Sequence, residues 1–158
     1  MKLKFKWKPY KGAGILFWRK GQDSTIEVLL GYRSKRMHHA PDTWSLFGGG
    51  MKHGETFLEN AKREAVEETC PDRTTRLFDH PGLRLDTDPL CTRSFKPLYP
   101  YEYHYFSCEV SAAPANWPKQ ERDEEHDTIR WFGVNELPPR LHGETRRVIR
   151  RLLGSLAK

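Results

Sequence analysis

Leu3, Phe5 and Trp7 alternate with Lys2, Lys4, Lys6 and Lys8. This period-2 pattern predicts a strand with one wet face, at the edge of a sheet. Residues 14–19 and 26–32 are apolar runs of strand length, and the polar residues 20–24 between them predict a hairpin turn. Residues 33–42 then read as a loop, and 43–47 as a short extended piece. Gly48-Gly49-Gly50 breaks the pattern. From residue 56 the apolar period lengthens. Leu58, Ala61 and Ala65 share one side and the charges lie elsewhere, so a helix is expected over 56–69. Pro71 ends it, having no N–H to extend the ladder. Residues 77–85 and 99–110 are expected as strands, joined by a loop rich in Pro and Arg. Residues 111–127 form a long polar connection, 128–132 a strand, and 145–153 a C-terminal helix marked by Val148, Ile149, Leu152 and Leu153. Mixed strands with two helices imply an α/β layered domain, and a length of 158 residues favours one domain spanning 1–158.

Composition narrows the class. Hydrophobic residues at 37% and charged residues at 30% are a globular mix rather than a disordered one. No apolar run reaches the ~20 residues a bilayer span needs. Lysines interrupt the N-terminal segment where a secretory leader would be apolar, so a soluble cytoplasmic protein is expected. Cys70, Cys91 and Cys108 are odd in number and contain no C-x-x-C pair, which argues against a disulfide framework or zinc site and for small buried or half-buried thiols. The net charge of +6 gathers near the ends: Lys2 to Lys20 before the first acid, Asp23, and Arg140, Arg146, Arg147, Arg150 and Arg151 near the other terminus. A basic surface suits polyanions such as nucleotides or nucleic acid, although a merely solvated face carries the same composition.

The chemistry concentrates between Gly48 and Thr69. Glu64, Glu67 and Glu68 stand at i, i+3 and i+4, within a ~100° arc of a helix. Like charges at that spacing repel by a few tenths of a kcal/mol per pair. A helix that holds divalent cations turns that cost to use, because Mg²⁺ prefers hard carboxylate oxygens. Alone, three nearby glutamates are more commonly a solvated acidic face. The preceding glycines allow close approach of backbone to a phosphate, and N–H groups near a helix start favour anions. Arg63 adjoins the acidic arc and can orient a carboxylate through a bidentate pair, with Glu55 as the candidate partner. Glycine loop, carboxylates and arginine together point to phosphoryl chemistry.

Gly49, five residues, Glu55, seven residues, then Arg63-Glu64-Ala65-Val66-Glu67-Glu68 resembles the Nudix box, and Trp44-Ser45-Leu46 resembles the extended piece that leads into it. The resemblance implies a Nudix-type α/β/α sandwich with a mixed β-sheet. It also implies divalent-metal-dependent hydrolysis of the diphosphate linkage in a nucleoside diphosphate joined to another moiety. The metal ligands implied are Glu64, Glu67 and Glu68, with the Gly48 carbonyl as a further one. Arg63 and Glu55 would orient the site, and Mg²⁺ is the expected ion, with Mn²⁺ as the alternative. For the general base the candidates are Glu64 and Glu125. His126 joins them because the Glu125-His126-Asp127 stretch is similar to that of GDP-mannose mannosyl hydrolases. Cys70, Pro71, Phe47 and Lys52 depart from the usual motif without removing a carboxylate.

The expected partner is a small-molecule nucleotide. Two rival readings stay open: an RNA 5′-end pyrophosphohydrolase, and a non-catalytic Nudix-fold ligand-binding module. Many relatives are dimers, so a homodimer is a further expectation, and no membrane partner is expected. Trp7, Tyr10, Phe95, Tyr99, Tyr101 and Trp117 are candidates for stacking on a base or sugar, against the commoner role of core aromatic, and Arg33 and Arg93 for meeting phosphates, against the commoner surface or salt-bridge role. His38 and His39 lack a neighbouring carboxylate or thiol and make a poor metal site.

Overall fold

The computed structural model describes residues 8–95 and 100–158. The strand expected over 3–7 lies outside them, as do Trp7 and Tyr99. The described strands join one mixed sheet. β1 (Tyr10–Lys20) is its spine. It pairs antiparallel with β2 (Ile26–Arg33) through Trp18–Lys20, and with β4 (Phe47–Gly50) through Gly12–Ile15. On its other side it runs parallel to β7 (Tyr101–Val110). β3 (Trp44–Ser45) and β8 (His126–Gly133) add to β2, while β5 (Leu83–Leu85) and β6 (Cys91–Phe95) add to β7.

A helix covers each face. α1 (Phe57–Thr69) packs Ala61 and Ala65 against Ile15, Phe17, Leu29 and Phe47. α2 (Gly143–Leu156) packs Val148, Ile149 and Leu152 against Leu16, Trp18, Val28 and Leu30. Odd and even positions of β1 thus serve opposite cores. That explains why GILFW carries no alternation: strands buried on both faces read as continuous apolar runs. The result is the α/β/α sandwich. The three cysteines are free and buried.

α1 starts where the capping chemistry allows. Thr56 accepts from the Glu59 N–H, and the Glu59 carboxylate accepts from the Thr56 N–H. This reciprocal box satisfies two otherwise orphaned donors.

Three expectations change. Residues 77–85 do not form one strand: Leu77–Asp79 is a 3₁₀ turn and only Leu83–Leu85 is extended, because Pro81-Gly82 splits the segment. The Pro- and Arg-rich connection contains β6, a strand exposed along most of its length that backbone pairing to β7 defines. Gly48-Gly49-Gly50 belongs to β4 instead of breaking the pattern. It can do so because Gly12 and Gly14 let the two backbones close up. A Cβ on Gly12 would stand 2.7 Å from the Gly49 carbonyl oxygen, and one on Gly14 2.7 Å from that of Phe47.

Candidate active site

β4 and α1 lie side by side, and the loop between them turns the chain back so that the glycines face the helix carboxylates. Arg63 fastens that loop. Its Nε donates to Glu55 Oε1 at 2.5 Å and its Nη2 to Glu55 Oε2 at 3.0 Å. The same Nη2 reaches the Gly50 carbonyl at 3.0 Å, and Asn60 Nδ2 reaches it at 3.1 Å. The predicted Arg63–Glu55 pair is therefore a two-point fork, with geometry that Lys cannot reproduce. It holds the Glu55 carboxyl below its ordinary range. The free edge of the guanidinium, Nη1, meets Glu64 at 2.9 Å and Glu67 at 3.4 Å.

The carboxylates divide by burial. Glu67 is partly exposed, and Arg73 approaches it at 4.0 Å. Glu64 is more enclosed; burial raises its pKa against the opposing pull of Arg63. Its carboxyl lies over Gly49, where a Cβ would stand 2.6 Å from the carboxyl carbon. Glu68 is 3% exposed and accepts the Gly48 N–H at 3.1 Å. Burial, then the nearby Glu125 and Glu64, push its pKa well above the usual carboxylate range. A buried anion beside further anions is costly without a cation. Glu68 and Glu125 pair with no Lys or Arg among the described residues, and with Glu64 and Glu67 they offer hard oxygen donors that fit a divalent ion.

Glu125 sits on the turn before β8, far from the helix in sequence, yet the sheet brings it to Glu68. A carboxylate oxygen of each and a ring nitrogen of His126 lie within 4.8 Å of one another. Glu125 is exposed, while His126 is 2% exposed. Burial is the main cause that lowers the His126 pKa to about 4.

A cleft of about 480 Å³ opens beside Gly48 and Gly49. Tyr10, Tyr101, Tyr103 and Tyr105 form one wall, and Arg33, His142 and Glu144 also line it. Tyr10 stacks on Tyr101 at 5.7 Å, and Tyr101 on Tyr103 at 6.0 Å. Gly12 and Gly48 clear the slot for Tyr103, whose hydroxyl donates to the Ala13 carbonyl at 3.1 Å. A smaller hollow of about 350 Å³ flanks Glu67 on the other side of α1, rimmed by Lys62, Arg73 and Arg76.

The fold brings together the motif residues Gly48, Glu55, Arg63, Glu64, Glu67 and Glu68, and adds Glu125. Of the stacking candidates, Tyr10 and Tyr101 line the cleft. Trp117 is instead core, donating its indole N–H to Thr69 at 2.8 Å. Phe95 is exposed and outside the cleft lining. Arg33 reaches the cleft, whereas Arg93 pairs with Glu144. Sequence reading missed Tyr103, Tyr105, His142 and Glu144. The alternation of Tyr101, Tyr103 and Tyr105 was the available signal, since period 2 places all three on one face.

The NUDIX domain family profile matches residues 8–152. The chain belongs to the NUDIX family. As a Nudix hydrolase it acts on pyrophosphate bonds. Solved Nudix structures share its fold at low identity. The Ap4A hydrolase of C. elegans, in a binary complex, superposes with a TM-score of 0.69 at 23% identity, covering 94% of this chain and 98% of the other. A MutT NUDIX hydrolase from Burkholderia pseudomallei gives 0.65 at 22%, covering 92% and 98%. The NUDIX domain of Shewanella oneidensis NrtR, complexed with ADP ribose, gives 0.67 at 17%, covering 99% and 94%. Among the described residues no helix of this Nudix protein is long and apolar enough to cross a membrane.

Proposed function

We propose that this Nudix hydrolase cleaves the diphosphate linkage of a nucleoside diphosphate joined to a further group. The observation that carries the reading is that Gly48 and Gly49 belong to both features: they line the tyrosine-walled cleft, while Glu68 accepts the Gly48 N–H and the Glu64 carboxyl lies against Gly49. The tyrosine rings offer a flat apolar wall to a base or sugar. Arg33, at the same cleft, offers charge to phosphate oxygens. A ligand seated there runs its phosphates toward α1.

Glu64, Glu67, Glu68 and the Gly48 carbonyl would hold Mg²⁺, or Mn²⁺ in its place. When bound, such ions neutralise the diphosphate and make the attacking water more acidic. Arg63 keeps Glu64 and Glu67 aimed, and Glu55 keeps Arg63 aimed. Glu64 is the candidate base for the attacking water. Its carboxyl lies against Gly49, which borders the cleft, and that position supports the role. His126 is poorly suited to that task, being enclosed and hard to protonate.

The test is a panel of nucleotide sugars, dinucleoside polyphosphates, modified nucleoside triphosphates and triphosphorylated or capped RNA, each with Mg²⁺ and with Mn²⁺. Release of phosphate or nucleotide from at least one is expected. A folded, metal-loaded protein that cleaves none of them overturns the reading. It would leave the binding-module alternative, for which ligand titration with and without Mg²⁺ is the measure.

One observation favours the RNA reading. Arg146, Arg147, Arg150 and Arg151 lie on α2, and Arg147 pairs with Glu144 at the cleft at 3.5 Å. A strand leaving the cleft over this helix would bind with a steep salt dependence, which small substrates lack.

A further inference from the structure

His126 is 2% exposed, and neither of its ring nitrogens has a hydrogen-bond partner. A buried imidazole with both nitrogens idle is costly unless something binds one of them. Two features of the fold put the ring there. β8 pairs with β2 residue by residue from Gly133 to Thr128, and the register then slips between Tyr32 and Arg33, so that Asp127 is passed over and His126 pairs with Arg33. Plain alternation from Ile129 would send Asp127 to the α1 side of the sheet and His126 to the other. The bulge returns His126 to the α1 side, 5.5 Å from the Phe47 ring; re-aiming a side chain beside a site is a known use of bulges. Gly31 makes the room, since a Cβ there would stand 2.9 Å from His126 Nε2.

In that position a ring nitrogen and one carboxylate oxygen each from Glu68 and Glu125 lie within 4.8 Å of one another. Donors to one ion, at bonds of about 2.0–2.2 Å, stand up to ~4.4 Å apart. We propose that Glu68, Glu125 and His126 form a metal position of mixed oxygen and nitrogen donors that takes a first-row transition ion such as Zn²⁺ or Co²⁺ in preference to Mg²⁺. It rests on the reading that the carboxylate cluster holds cations, and adds to it a nitrogen ligand and a preference. Mg²⁺ is satisfied by oxygen alone and keeps its waters, whereas imidazole suits the softer ions. The exposed Glu125 leaves a way in from solvent.

The experiment uses the full chain labelled with ¹⁵N, with the His126 ring resonances assigned through its own backbone. Adding Zn²⁺ should move one His126 ring nitrogen, and adding Mg²⁺ should leave both in place. Calorimetry should show Zn²⁺ affinity falling at least tenfold in His126→Phe, with Mg²⁺ affinity within twofold of wild type. A Zn²⁺-bound protein whose His126 nitrogens have not moved overturns the proposal, and that arm needs no variant to fold. Equal losses of Zn²⁺ and Mg²⁺ affinity in His126→Phe overturn the preference. Hydrolysis in Mg²⁺ is scored separately. A protein that hydrolyses without the shift loses only this site, and one that shows the shift without hydrolysis loses the catalytic reading instead.

Discussion

Gly49→Ala is the sharpest probe of the site. Gly49 has no positive φ, so alanine meets no backbone strain there. The added methyl would stand 2.6 Å from the Glu64 carboxyl carbon and its nearer oxygen, and 2.8 Å from the other. The carboxylate must retreat by about 0.8 Å before the contact reaches 3.4 Å, the near limit of ordinary packing. It is the far end of a flexible side chain, so the fold yields cheaply. The expected loss of stability is below ~1 kcal/mol, a few degrees in Tm for a domain of this size. Function should not yield cheaply. A misplacement near 1 Å costs on the order of 10²-fold in rate, or ~2.7 kcal/mol in the transition state. The assay pairs thermal unfolding with kcat/KM on whichever diphosphate substrate the panel identifies. Wild-type kcat/KM in Gly49→Ala would show that the position of Glu64 does not matter to the chemistry. An unfolded variant would show that the carboxyl cannot move as described. Either result refutes the reasoning.

Glu67→Gln should cut kcat in Mg²⁺ by about tenfold or more while leaving the unfolding curve in place; an unchanged kcat removes Glu67 from the site. Arg63→Lys breaks the fork to Glu55 and the bond to Gly50. Because the pair is partly exposed, its stability cost should stay within ~1 kcal/mol, but kcat/KM should fall by much more than the same energy implies; proportionate losses would reduce Arg63 to a structural role. Tyr101→Ala should raise KM more than it lowers kcat, consistent with stacking worth ~1–3 kcal/mol per base; an unchanged KM would place the ligand elsewhere. The His126 pKa falls from 6.5 unfolded to about 4 folded, so the unfolded chain binds more protons between those values. Stability should therefore rise with pH over that window and level off above it. Urea unfolding in EDTA at pH 4.5 and 6.5 measures the slope, which His126→Phe should shrink; an equal slope in both proteins would mean the imidazole is not buried neutral.

Local rules carried much of the reading. Helix α1, its end before Pro71, and the placement of Glu64, Glu67 and Glu68 on one arc follow from 3.6-residue periodicity and the missing proline N–H, which involve only near neighbours. The Arg63–Glu55 pair was legible because helix and loop are contiguous. Strands β1, β2 and β8 were visible as apolar runs of the right length. Only the tertiary structure could decide how pairing across the sheet spends the glycines and the distant residues. The run at 48–50 looks like a break until Gly12 and Gly14 are known to lie opposite it. The strand at 91–95 has no apolar signature because its structure comes from hydrogen bonds to β7. Glu125 and His126 reach Glu68 through a one-residue slip in the β2–β8 register, and the tyrosine wall becomes a cleft through the parallel pairing of β1 with β7. Register and pairing depend on contacts between segments far apart in the chain, so no local pattern of residue types can encode them alone.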